Sequence, residues 1–180
     1  MSAGQASHTT WPTFARNVIE RTLRSMDRHI TPPPDAERPH AGVFVTLRRR
    51  GRLRGCMGTL DPSQPLPDAV RRAAQTAAFE DPRFPPVTLS ELPELSVEVS
   101  ILTEPQPMRS LDDLELGKHG IIVQRGHQRG LFLPQVAVEH RMDKETFLSR
   151  CCVEKAGLPP DAWRSPETEV LLFGAEVYHE

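Results

Sequence analysis

Apolar residues along this chain repeat at two different periods, and the change from one to the other marks out its elements. Phe14, Val18, Leu23 and Met26 recur at near-helical spacing, which predicts a helix over 11–30. Thr10 is placed to cap that helix and Pro12 suits its first turn. A Pro-rich loop over 31–39 follows. Residues 42–47 and 53–59 then read as two strands joined by a turn over 48–52 that contains Gly51, a β-hairpin. After a turn-rich link over 61–67, Val70, Ala73, Ala74 and Ala77 mark one side of a second helix over 68–80, ended by Pro82.

Downstream the period drops to two. Leu95, Val97, Val99 and Ile101 alternate with Ser96, Glu98 and Ser100, the pattern of a half-buried strand over 95–102 of the kind found in antiparallel sheets. Residues 120–124 and 131–134 flank a turn over 125–130, a second hairpin. Asp143 can cap a third helix running to Ala156, in which Leu148, Cys152 and Ala156 form a stripe beside Phe147 and Cys151. Gly157 sits where a left-handed C-cap belongs, and 169–178 reads as a closing strand. The order of elements predicts an α+β fold, a largely antiparallel sheet with about three helices, and excludes a βαβ nucleotide binder. One domain over 1–180 is expected, with 1–10 outside the ordered fold.

Composition narrows the class. Charge is balanced, 22 basic against 24 acidic residues, which argues against a general nucleic-acid binder. No stretch is long and apolar enough to span a bilayer, and the N-terminal residues lack the pattern of a secretory signal. The three cysteines, Cys56, Cys151 and Cys152, do not form a disulfide framework and read as reduced thiols of a cytoplasmic protein. The seven histidines show no metal-binding spacing, and neither a structural metal nor a cofactor is expected. His119 and His127 flank one strand and read as hydrogen-bonded or exposed side chains.

The segment Leu53-Arg54-Gly55-Cys56-Met57-Gly58-Thr59 carries the most chemistry. Alternation along a strand turns Leu53, Gly55 and Met57 toward the core and Arg54 and Cys56 together to the other face, about 7 Å apart. A guanidinium beside a thiol favours its thiolate, so Cys56 is a candidate nucleophile, redox thiol or ligand-binding thiol. The other reading is a small buried apolar residue, since free cysteine is among the most buried types. Gly55 and Gly58 leave the backbone open to close approach by another group.

Leu53-Arg54-Gly55-Cys56-Met57-Gly58 resembles the Leu-Arg-Gly-Cys-Ile-Gly signature of the AMMECR domain family, with Met57 in place of isoleucine. The stretches 78–86 (AFEDPRFPP), 130–137 (GLFLPQVA) and 152–158 (CVEKAGL) resemble further segments of the family in the same order. Met142 stands where many relatives carry tryptophan. The resemblance implies a two-lobed α+β fold with the cysteine motif near a cleft between lobes. In bacteria and archaea the family is similar to protein A of the AmmeMemoRadiSam system, which implies a Memo-like protein and a radical S-adenosylmethionine enzyme as partners.

On these grounds Cys56, Arg54 and Asp81 are the candidate catalytic residues, and Gly55, Gly58, Thr59 and Arg83 the candidate ligand-binding residues. Asp81 is expected to orient Arg54 or act as a general base, or else to hydrogen-bond the turn through Pro82. Arg48, Arg49, Arg50, Arg52 and Arg54 form a basic cluster that reads as an anion site or docking patch, or as a solvated hairpin tip whose charge prevents edge pairing. Three functions remain open: an enzyme subunit using Cys56, a non-catalytic interaction module, and a ligand sensor.

Overall fold

A computed structural model describes residues 9–180. Most of the segment expected to be disordered, 1–8, lies outside the described residues. Thr10 is the N-cap of the first helix, its hydroxyl accepting from the Thr13 N–H. The described residues divide into two compact units, one running to residue 101 with 176–180 and one of residues 102–175. The fold is α+β, with antiparallel strand pairs.

The first unit holds α1 (Trp11–Leu23), β1 (Gly42–Arg49), β2 (Arg52–Thr59), α2 (Leu66–Phe79) and β3 (Leu95–Leu102). Its strands lie in the order β2-β1-β3, followed by the end of β7 (Glu169–His179). Trp11, Phe14 and Val18 of α1, Val70, Ala74 and Ala77 of α2, and the inward positions of β1 and β3 build its core. The predicted stripe on α2 is all buried, as is the alternating face of β3.

The first helix is shorter than its periodicity predicts. It stops at Leu23 because Ser25 turns left-handed at φ 51°, with Met26 N–H bonding Arg21 O and Ser25 N–H bonding Thr22 O. This is a Schellman C-cap with serine in the place glycine usually takes, so no stop signal is visible in the sequence. Met26 is accordingly exposed.

The second unit holds β4 (Gln106–Pro107), β5 (His119–Arg125), β6 (Gln128–Phe132), α3 (Pro134–Glu139), α4 (Lys144–Cys151) and β7 up to Ala175. β5 pairs with β6 and with β7, and β4 pairs with β7. The predicted six-residue turn over 125–130 is two residues, Gly126-His127, between paired Arg125 and Gln128. Pro134 starts α3, a helix beyond the three that the pattern predicts, rather than ending a strand, because a proline at the first helical position gives up an N–H that would have no partner anyway. α4 runs on through a single π-type turn, Cys152–Ala156, to Gly157 at φ 67°. Phe147, Leu148, Cys151, Cys152 and Ala156 are buried in this unit's own core.

Candidate functional site

All the candidate site residues belong to the first unit. They gather on β2, an edge strand, and on the segment that leaves α2. A tight turn at Arg50-Gly51, both with positive φ, joins β1 to β2. From that turn the register runs Arg49–Arg52 and Arg48–Leu53, then jumps to Leu47–Gly55 and Thr46–Cys56. Arg54 is therefore the extra residue of a β-bulge, left without a partner on β1.

The bulge rearranges the faces. Gly55 and Met57 keep the α2 side, as expected, but Leu53 swings to the face of Arg48, Thr46 and Cys56 and is 37% exposed. Its expected place in the core is thus overturned by one inserted residue. At Gly55 a Cβ would lie 2.2 Å from the Ala77 carbonyl oxygen, and at Gly58 2.2 Å from the Val43 carbonyl oxygen and 2.6 Å from the Phe44 ring. The close approaches that these glycines permit are made by the protein's own atoms.

Cys56 is half-buried, and its sulfur shares a hydrogen bond of 3.3 Å with the Thr46 hydroxyl directly across the hairpin. The Cys56 N–H points off the sheet edge and donates to Asp81 Oδ2 at 3.0 Å. Arg83 Nη2 donates to the Cys56 carbonyl at 3.4 Å and to Asp81 Oδ2 at 2.7 Å, while Arg83 Nε meets Oδ1 at 3.0 Å. A carboxylate and a guanidinium thus clamp both backbone groups of Cys56. Hydrogen bonds from the Arg83 guanidinium hold the Asp81 carboxyl well below the usual carboxylate range, against the burial that works to raise it. An acid held that low is a weak proton acceptor.

Arg54 is placed differently from the sequence expectation. Its guanidinium makes a two-point pair with Glu91, Nε to Oε1 at 2.9 Å and Nη2 to Oε2 at 3.2 Å, with both side chains about nine-tenths buried. Asp81 orients Arg83, not Arg54, and Arg83 is the guanidinium in contact with the Cys56 residue. The two arginines do share Phe84, lying 6.0 Å (Arg54) and 5.4 Å (Arg83) from its ring centroid. Arg54 Nη1 is buried without a hydrogen-bond partner.

Glu91, Thr46 and Phe84 are the participants that sequence reading missed. Glu91 had a signal: Thr88-Leu89-Ser90-Glu91 is a capping box, in which Glu91 accepts from the Thr88 N–H at 2.8 Å. In the basic hairpin, Arg49 and Arg50 are tied to Glu94 and Arg49 also to Glu91. Thr59 accepts from the Asp61 N–H through its hydroxyl and lines a cavity of about 240 Å³ with Met57, Gly58, Arg72, Thr76 and Glu80. Elsewhere, His119 Nδ1 accepts from the Glu115 N–H. Among the described residues no three His, Cys, Asp or Glu side chains are grouped to hold a metal ion, and no helix is long and apolar enough to cross a membrane.

The geometry can present a thiol on a rigid strand edge with a cation beside it. Comparison with known proteins supplies the lineage. The AMMECR1 family model matches residues 12–178. A protein of Methanothermobacter thermautotrophicus is 49% identical over 175 residues, covering 93% of this chain and 91% of that protein. A protein of Methanopyrus kandleri is 47% identical over 177 residues, covering 93% and 85%. The crystal structure of an uncharacterized protein from Pyrococcus horikoshii is similar with a TM-score of 0.80 and 42% identity, covering 94% of this chain and 89% of that one. With a match spanning both units and every segment of the candidate site, the chain belongs to the AMMECR1 family.

Proposed function

We propose that this protein is an accessory component of a small-molecule or modification pathway that also uses a radical S-adenosylmethionine enzyme and a Memo-like protein, and that it acts through Cys56. The observation that carries this reading is the clamp. A half-exposed thiol has its backbone pinned on both sides by Asp81 and Arg83 and its sulfur bonded to Thr46. Fixing a backbone this way serves a group whose position matters, since reacting atoms must be held to within fractions of an ångström. In this reading Arg83 meets an anion bound or formed beside the sulfur, Asp81 positions Arg83, and Arg54 with Glu91 braces the strand. The unmet donor at Arg54 Nη1 supports an acceptor supplied by a ligand. The pathway itself is supported by family resemblance.

The test is reconstitution of the native protein with the Memo-like protein and the radical enzyme, comparing Cys56→Ser with wild type. A loss of at least roughly tenfold in turnover is expected, about 1.4 kcal/mol at the transition state, with thermal unfolding unchanged. Full turnover by the serine variant would end the proposal.

A second reading, a non-catalytic module that docks partners through the 48–54 hairpin, is favoured by charge. Glu91 and Glu94 are the two carboxylates against five guanidinium groups, and Arg48 and Arg52 make no ion pair among the described residues. It expects Arg48→Glu with Arg52→Glu to weaken a complex with either partner, more so at low salt. Unchanged capture at low salt would remove it.

A further inference from the structure

The register of the hairpin decides which backbone groups of β2 face outward. Cys56 turns its N–H and C=O off the edge, so the Thr46–Cys56 pair is a non-hydrogen-bonded one. Two residues along, Phe44–Gly58 is the same kind of pair, and Gly58 likewise turns both groups away from β1. At Cys56 they are taken by Asp81 and Arg83. At Gly58 they meet no partner among the described residues, and Gly58 is exposed.

This open edge position adjoins the cavity of about 240 Å³ between β2 and α2. The far wall of that cavity carries Arg72 and Thr76 of α2 and Glu80 at the helix C-cap, at spacings of four. Arg72 and Glu80 are exposed, and neither makes an ion pair among the described residues. The helix runs against the direction of β2, since Ala77 abuts Gly55 while Ala73 lines the cavity with Gly58 and Thr59. Arg72 therefore stands at the Thr59 end of the open edge and Glu80 at the Cys56 end. The helix from Arg72 to its C-cap at Glu80 sets the two backbone positions about 12 Å apart along the axis.

We propose that this edge binds a short extended peptide with free termini, running parallel to β2. A parallel strand residue bonds the residues before and after its opposite number, so Gly58 N–H would meet the carbonyl of peptide residue one and Gly58 C=O the N–H of residue three. Three extended residues span about 10 Å, which brings the ammonium to Glu80 and the carboxylate to Arg72. The opposite chain direction would bring each terminus to a like charge. Asp81 and Arg83 occupy the edge at Cys56 and set the limit at the ammonium end, so a long strand passing through does not fit. Main-chain pairing at a sheet edge with charge capture of a chain terminus is a known physical mode of peptide recognition.

The inference stands apart from any chemistry at Cys56. Trialanine is the probe, titrated into the full-length, isotope-labelled protein and followed by the amide signals of Gly58 and Thr59. Saturable shifts of both at millimolar peptide are expected, with weakening of roughly tenfold on acetylating its N-terminus or amidating its C-terminus. Arg72→Gln should weaken trialanine by a similar factor and no longer distinguish the amidated peptide; Glu80→Gln should do the same for the acetylated one. Cys56→Ser should bind as wild type does. No saturable shift at these amides, equal binding of the doubly blocked peptide, or as large a loss in Cys56→Ser as in Arg72→Gln would each overturn the proposal. So would broadening of the same amides that grows with protein concentration in the absence of peptide, which would assign the edge to a second copy of the chain.

Discussion

Gly55 and Gly51 sit four residues apart on the same hairpin and are glycine for different reasons. Gly51 has φ +77° and nothing within 4 Å of where a Cβ would go, so an alanine there meets only backbone strain of about 1 kcal/mol. Gly55 has ordinary strand geometry, but its missing side chain is filled by the Ala77 carbonyl at 2.2 Å, a backbone atom of α2 that cannot rotate aside. Gly55→Ala must push helix and strand apart, and about 2–3 kcal/mol of destabilisation is expected from such overpacking. Denaturant unfolding of both variants checks this. Equal losses at the two positions would mean that α2 yields at Ala77 and that close packing is not what glycine secures at 55. The sequence marked Gly55 as a place of close approach without saying what approaches, because the answer lies on an element more than 20 residues away.

At the scale of the element, β2 depends on the pair that its bulged residue makes. Hydrogen bonds from the Arg54 guanidinium, opposed by burial, bring Glu91 down to about 2 from its ordinary 4.5. A carboxylate lowered in the folded state contributes stability that is fully present above its unfolded value and is lost as pH falls through the folded one. The window is thus from about pH 4.5 down to about pH 2, and the stabilisation lost across it is on the order of 3 kcal/mol. Asp81, also lowered, acts in the same direction. Glu91→Gln should cost about 3 kcal/mol at neutral pH, and the difference from wild type should shrink steadily toward pH 2. Urea unfolding across that range measures it; a pH-independent difference would show that Glu91 stabilises by packing and capping alone. The same bulge limited what the sequence disclosed. Counting back from the turn without it pairs Cys56 with Val45 and Gly55 with Thr46; with it Cys56 faces Thr46 and Leu53 leaves the core. Strand, hairpin and motif were legible from period and turn residues. The register was not, since an inserted residue leaves no local mark, and with it went the true partner of Arg54.

Over the whole molecule, the hydrophobic pattern distributed itself into two cores, and the three cysteines fall on opposite sides of that division. Cys151 and Cys152 are fully buried among Phe147, Leu148 and Ala156 of the second unit. Burial pushes the Cys151 thiol up to about 12 and raises Cys152 as well, so neither offers a thiolate to solvent near neutral pH. Cys56, in the first unit, is half-exposed on a strand edge. A thiol reagent followed by mass spectrometry should therefore modify the native protein at Cys56 first. Cys151 and Cys152 should react at least ~100-fold more slowly, the factor set by an opening of roughly 3 kcal/mol. Denatured protein should take up three labels, and native Cys56→Ser close to none on the same timescale. If Cys151 labelled natively as fast as Cys56, the second unit would have to open freely at α4. Its stripe of Leu148, Cys152 and Ala156, which the sequence pattern assigned to a core, would then be a face that water reaches.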